Sequence, residues 1–155
     1  MKKILLILSF LRNSPKSVDE AIKLAKKNHA ELVVFFVLDI DFANRIVDKL
    51  TDEGWIGGKP SEQLYLSLLK EYRLQSEMRI SEIEQCARQQ DVRVRSIVRS
   101  GSVLDEILRV TQLEDPDLIV INRRKRSNLS RLIFGSVVNA LERQVSCEVK
   151  IIDAE

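Results

Sequence analysis

Three blocks of this chain are apolar without a break: Ile4 to Leu8, Leu32 to Leu38, and Leu118 to Ile121. A strand with one face in water alternates apolar and polar residues, so unbroken runs of this length predict strands covered on both faces. Parallel sheets flanked by helices meet that condition. Strand one is expected over Lys3 to Ser9 and strand two over Glu31 to Asp39. The amphipathic segment between them, with Val18, Ala21, Ile22 and Ala25 as its inner stripe, completes a β-α-β unit whose crossover should be right-handed. Two starts are open for that helix: Ser14-Pro15, or Ser17-Val18-Asp19-Glu20 with the S-x-x-E form of a capping box.

The remaining chain repeats the theme. Phe42 to Leu50 predicts a short helix, and Glu53 to Pro60 has turn and breaker chemistry around Trp55. That tryptophan is readable as a lid or partner anchor, or as a loop residue folded back on its own helix. Ser61 to Gln90 is a long helical pattern with Leu69, Tyr72, Ile80, Ile83 and Ala87 facing inward. Val92 to Val98 alternates and suits a half-exposed edge strand. Ser102 is placed to cap a helix that Asp115-Pro116 stops, with Asp105 in its first turn and Val103, Leu104, Ile107, Leu108 and Thr111 facing inward. A helix from about Gly135 to Arg143 and a last strand from Cys147 to Asp153 close the chain. Five strands alternating with helices imply one α/β domain over 1–155, an open doubly wound parallel sheet of Rossmann-like type.

Ligands of such sheets gather at the carboxyl ends of the strands, where a helix N-terminus offers free N–H groups to an anion. The turn after strand four is the segment to inspect. In DLIVINRRKRSNLSRLIFGS, Asp117 to Ser136, an apolar run ends in a basic loop and the loop ends in Gly135-Ser136 ahead of a helical pattern. This segment resembles the universal stress protein family, whose C-terminal part carries G-x2-G-x9-G-[ST] after the fourth strand. The matching positions are Asn122, Lys125, Gly135 and Ser136, with similar wording from Arg126 to Leu132, from Phe134 to Val137 and from Cys147 to Ile152.

The resemblance implies a strand order of 3-2-1-4-5. It also implies an ATP site in which the glycine-rich turn and the Gly-Ser helix start cradle phosphates, while an aspartate ending strand one and a backbone position in strand two hold the adenosine. Carried over, those positions are Ser9 and Val37, with Asn122, Lys125, Gly135, Ser136 and Val137 around the phosphates. Two of the three motif glycines and the aspartate are absent. Glycine reaches positive φ and lets a phosphate approach the backbone, which Lys125 hinders, whereas Asn122 tolerates left-handed angles. Losing a carboxylate that accepts nucleoside hydrogen bonds costs roughly 1.5 to 3 kcal/mol, or about tenfold to more than a hundredfold in affinity. The resemblance with these departures implies a homodimeric stress-response or regulatory protein without robust ATP binding. In the family the last strand pairs across a two-fold axis, and Val149, Ile151 and Ile152 give Cys147 to Asp153 a suitable composition.

Two other functions stay open. Arg123, Arg124, Arg126 and Arg131, with Lys125, could replace lost backbone contacts to phosphate in a nucleotide-binding switch or slow ATPase. The same Arg123 to Arg126 loop could contact nucleic acid, although no aromatic residues interleave with it, or could be a solvated basic loop. Net charge of +2 from 25 basic and 23 acidic residues does not by itself predict a polyanionic partner. No catalytic set and no metal site is assigned. His29, the one histidine, reads as a helix C-cap or surface residue, Asp39 and Asp41 as turn residues with an option on ribose or metal, and Ser130 and Ser136 as remote phosphoryl acceptors. Met1-Lys2-Lys3 and the apolar block behind it imitate a signal peptide, but the run is short and Arg12 follows without a cleavage site. No stretch approaches the roughly 20 apolar residues of a membrane span, so a cytoplasmic protein is expected, with Cys86 and Cys147 as buried thiols.

Overall fold

The computed structural model describes residues 1–52, 60–124 and 137–154. Trp55, Lys125, Arg126, Ser130, Arg131, Gly135 and Ser136 lie outside the described residues, as does the side chain of Arg124. Five strands form one sheet: β1 (Lys3–Ser9), β2 (Glu31–Asp39), β3 (Val94–Gly101), β4 (Leu118–Arg124) and β5 (Glu148–Ala154). Their order is β3-β2-β1-β4-β5 and every neighbouring pair is parallel, as expected. β1 lies mid-sheet, with Ser9 beside Val37 of β2 and Ile7 beside Ile121 of β4. The chain turns left from β1 to β2 and later arrives on its right at β4. The switch point therefore falls between β1 and β4.

Burial explains the unbroken apolar blocks. Ile4, Leu6 and Leu8 pack on one side with Val18, Ile22, Tyr72 and Ile83, while Leu5 and Ile7 pack on the other with Val103, Ile107, Val138 and Leu141. Each strand residue points into one of two cores, so no position is left for a polar side chain until the strand ends. The first core is covered by α1 (Pro15–Asn28), α2 (Ile40–Asp52) and α3 (Pro60–Gln89), and the second by α4 (Val103–Glu114) and a helix over 137–144, α5. β3 is half-buried except for the exposed Ser100, which suits its edge position.

Helix starts and stops follow local chemistry. α1 opens at Pro15, which pre-sets the backbone for a first turn, with Ser14 in extended conformation at the N-cap. The capping-box alternative fails because Ser17 is already helical and buried, its hydroxyl donating to the Ser14 carbonyl at 2.9 Å. His29 ends α1 in the left-handed region at φ 52°, the C-cap expected of it, and Asp115 ends α4 the same way at φ 47°. α2 begins at Ile40, two residues before the expected start, because Asp39 caps it: the Phe42 N–H donates to Asp39 Oδ1 at 3.1 Å. β3 begins at Val94 and runs to Gly101, later than the alternation suggests, since Val92 is tied to the end of α3 by its N–H to Ala87 O at 2.9 Å. The thiol expectation is corrected: Cys86 is exposed and Cys147 half-buried, because Ile83 and Ala87 take the inward positions of α3 and leave Cys86 facing out.

Candidate functional site

The carboxyl edge of the sheet carries a crevice of about 450 Å³ at the switch point. Its floor is the end of β1. Ser9 and Arg12 close a tight turn there, with Ser9 N–H to Arg12 O at 3.0 Å and Arg12 N–H to Ser9 O at 3.1 Å. That turn folds the arginine back over the sheet, so Arg12 is only 2% exposed and its Nη1 donates to the backbone carbonyl of Asn122 at 2.9 Å. The ends of β1 and β4 are thereby bridged across 110 positions of sequence. Asn122 itself is 1% exposed, and its side-chain Oδ1 finds no hydrogen-bond partner among the described residues.

A second wall comes from the end of β2 and the start of α2, through Asp39, Asp41, Asn44 and Arg45. Burial pushes the Asp39 carboxyl above the usual range, opposed by the Phe42 N–H and Arg45 and reinforced by Asp41. Behind it Tyr72 is buried, its phenol pushed up by desolvation and by the charge of Asp39. Tyr72 stacks on Phe10 at 4.7 Å between ring centroids, and Phe42 lies 5.8 Å from Phe10. The third wall is the start of α4, Ser102 to Leu104, with Val137 of α5 opposite. Ser102 has the extended backbone of an N-cap, but its hydroxyl makes no capping bond.

Of the residues singled out in the sequence, Ser9 and Val137 meet at this crevice, and Asn122 joins them through Arg12. Val37 is fully buried beside Ser9 in the sheet and belongs to the second core below the crevice. Arg123 is paired across the sheet, its Nε donating to Asp153 Oδ1 of β5 at 3.0 Å. Cys147 and His29 lie at the opposite, amino edge, the Cys147 thiol pushed up by burial, with the charges of Asp115 and Asp117 adding to the effect. Sequence reasoning passed over Arg12, whose only signal was its place three residues past a buried strand end. No group of three or more potential metal ligands occurs among the described residues. No helix among them is long and apolar enough to cross a membrane.

Comparison with known proteins agrees with this architecture. The model of the universal stress protein family matches residues 1–153. A curated relative, Universal stress protein Sll1388 from Synechocystis, is 26% identical over 151 residues, covering 97% of this chain and 96% of its own. The solved structure of the universal stress protein UspA from Lactobacillus plantarum superposes with a TM-score of 0.74 at 16% identity over 97% of both chains. A universal stress protein family protein from Arabidopsis thaliana, solved with AMP bound, gives a TM-score of 0.61 at 13% identity, covering 100% of this chain and 93% of that one. With the sheet order, the switch-point crevice and a family match over almost its whole length, this chain belongs to the universal stress protein family.

Proposed function

We propose that this protein is a homodimeric, cytoplasmic regulatory member of its family that acts through partner proteins and lacks robust ATP binding. The observation that carries this reading is the bridge between Arg12 and Asn122. At the first motif position a buried asparagine side chain stands where glycine would leave open space, and the backbone carbonyl of that residue is already engaged by a buried guanidinium. At the end of β1 the side chain is a buried serine, so no carboxylate there receives the hydroxyls of a nucleoside. Arg123 is drawn toward β5, which takes one of the loop's cations away from a phosphate role and weakens the nucleic-acid alternative. β5 forms a sheet edge with Val149 and Ile151 half-buried, the composition and position that support pairing with a second copy.

A second reading keeps a nucleotide-dependent switch, favoured by the crevice itself and by the AMP held in the Arabidopsis relative. Calorimetric titration of nucleotide-stripped protein with ATP and magnesium separates the two. No heat up to millimolar ATP is expected, and binding at low micromolar or tighter would establish the switch. Analytical ultracentrifugation at micromolar concentration tests the assembly: a dimer is expected, and a monomer contradicts it.

A further inference from the structure

The sheet has two edges, and pairing between copies through β5 uses one of them. β3 lies at the other and pairs with β2 alone. The Leu32 N–H donates to Arg93 O at 2.8 Å, which fixes the ladder: every second residue from Arg93 onward turns its backbone groups to β2. The N–H and C=O groups of Val94, Ser96, Val98 and Ser100 therefore face outward along the edge. Edge strands are ordinarily guarded by proline, by bulges, or by charges standing over the edge. β3 has eight residues with no proline and no acid, and its register with β2 runs from Leu32↔Val94 to Asp39↔Gly101 without a bulge.

The two arginines of β3 do different things. Arg95 reaches inward to Glu31 of β2 and Glu114 of α4. Arg99 is half-buried, and its Nε is closed off from solvent without a hydrogen-bond partner among the described residues. Glu106 is held by Arg109 through Oε1 at 3.1 Å, and its Oε2 is unpartnered too, so Arg99 Nε and Glu106 do not meet. On the opposite face of the strand Ser96 Oγ is likewise buried and unpartnered among the described residues. Open backbone groups, with buried polar atoms lacking partners on both faces, mark a strand whose outer neighbour is missing. A second copy fits poorly there. In the antiparallel register that overlaps two β3 strands most fully, Ile97 meets Ile97 and each Arg95 stands opposite an Arg99, and like charges directly opposite one another are destabilising.

We infer that the β3 edge receives an extended segment of a partner protein as an added strand, with a carboxylate of that segment on Arg99. Backbone bonds to the outward groups supply affinity, and the guanidinium, which donates N–H groups to a carboxylate in a fixed geometry, sets the position of the segment. This deepens the reading of a protein that acts through partners, and rests on it.

The test uses a capped seven-residue peptide of Val and Thr with one central Glu, the same peptide with Gln, and the Glu peptide N-methylated on alternate residues. By fluorescence anisotropy on the full chain, the Glu peptide should bind more tightly than the Gln peptide by on the order of tenfold. Arg99→Gln should bring that ratio to about one. N-methylation removes the backbone donors without altering the protein and should abolish binding, which keeps the test intact if Arg99→Gln does not fold. Hydrogen exchange read by NMR gives the place: the N–H groups of Val94, Ser96, Val98 and Ser100 should exchange fast in the free protein and slowly with the Glu peptide bound. No binding up to millimolar peptide, equal binding of the Glu and Gln peptides, or protection at β5 in place of β3 would each overturn the proposal. So would slow exchange of those four N–H groups in the peptide-free protein together with an assembly larger than a dimer, which would give the edge to a second copy. The ATP titration and the ultracentrifugation measure other quantities, so a failure here leaves the dimeric reading without robust ATP binding in place. Tight ATP binding would sink that reading and leave the peptide ratio to be judged by itself.

Discussion

The two edges of the sheet are built from similar residues and do opposite things with them. At the amino edge, charged groups are paired near the surface. Asp117 accepts the backbone N–H groups of Lys2 and Lys3 at 2.7 and 2.9 Å, Glu114 meets both Arg95 and Lys3, and Arg95 reaches on to Glu31. At the carboxyl edge, Ser9, Arg12, Asp39 and Asn122 are all buried, and Asn122 keeps an unpartnered side-chain oxygen among the described residues. The amino edge pairs these charged groups within the fold and is stabilised by doing so. The carboxyl edge carries desolvated polar groups around an open volume, the arrangement in which a ligand can supply what the fold does not.

The contrast breaks most visibly at Gly101, which joins β3 to the α4 wall of the crevice. A β-carbon there would stand 2.7 Å from both Cγ and Oε1 of Glu106. Glu106 is 7% exposed and paired with Arg109 at 3.1 Å, so it has little room to retreat. Gly101→Ala is therefore expected to cost about 1 to 3 kcal/mol, measured by urea unfolding, and to weaken any ligand of the crevice by displacing Ser102. Unchanged stability would show that the Glu106 side chain swings clear, making this wall softer than its packing indicates.

At the amino edge, Glu114→Gln removes the shared partner of Arg95 and Lys3. The hydrogen bond from Arg95 is the main cause holding the Glu114 carboxyl below its usual range, ahead of the opposing cost of burial and the charges of Arg95 and Lys3. A carboxyl depressed by folding stabilises above its unfolded pKa and loses that contribution as pH falls through the folded value. The variant should be less stable by about 1 kcal/mol at pH 7, the partial exposure of Arg95 keeping the figure small. The difference should close as pH drops below the ordinary carboxylate range. A gap that stayed constant in acid would assign the loss to packing.

The legible parts of this molecule were those in which a residue's type settles its environment. Lys3 to Ser9 and Glu31 to Asp39 match the observed strands residue for residue, because unbroken apolar runs have no alternative to burial on both faces. Residues with two available roles were harder to place. Ser17 has the spacing of a capping box, yet Pro15 nucleates the helix earlier and leaves Ser17 as a buried hydroxyl. Asp39 ends a strand and also caps a helix, so α2 starts where a strand tail was expected to run into a loop. Cys86 was placed by residue type, although the stripe of Ile83 and Ala87 already put it on the outer face. Arg12 was the least legible. Its burial depends on a carbonyl 110 residues away, a partner that no local pattern announces.

Asp39→Asn gives the smallest expected change and the sharpest contrast with Glu114. The Asp39 carboxyl is pushed up chiefly by burial, with the Phe42 N–H and Arg45 opposing and Asp41 adding to it. For an acid raised by folding, the stabilising contribution is complete below the unfolded pKa and disappears as pH rises through the folded value. At pH 7 the ionised group is therefore a cost, the reverse of Glu114. Asparagine keeps the oxygen that accepts the Phe42 N–H, and it caps helices about as well as aspartate. The variant should equal or exceed the parent by about 0.5 kcal/mol at pH 7, within the usual span of substitutions that break no named interaction. The advantage should vanish in acid, where the parent's carboxyl is protonated. Thermal unfolding across that range checks the sign, and a loss at pH 7 would mean that Arg45 and the helix start repay the ionised carboxyl in full, leaving both edges governed by the same rule.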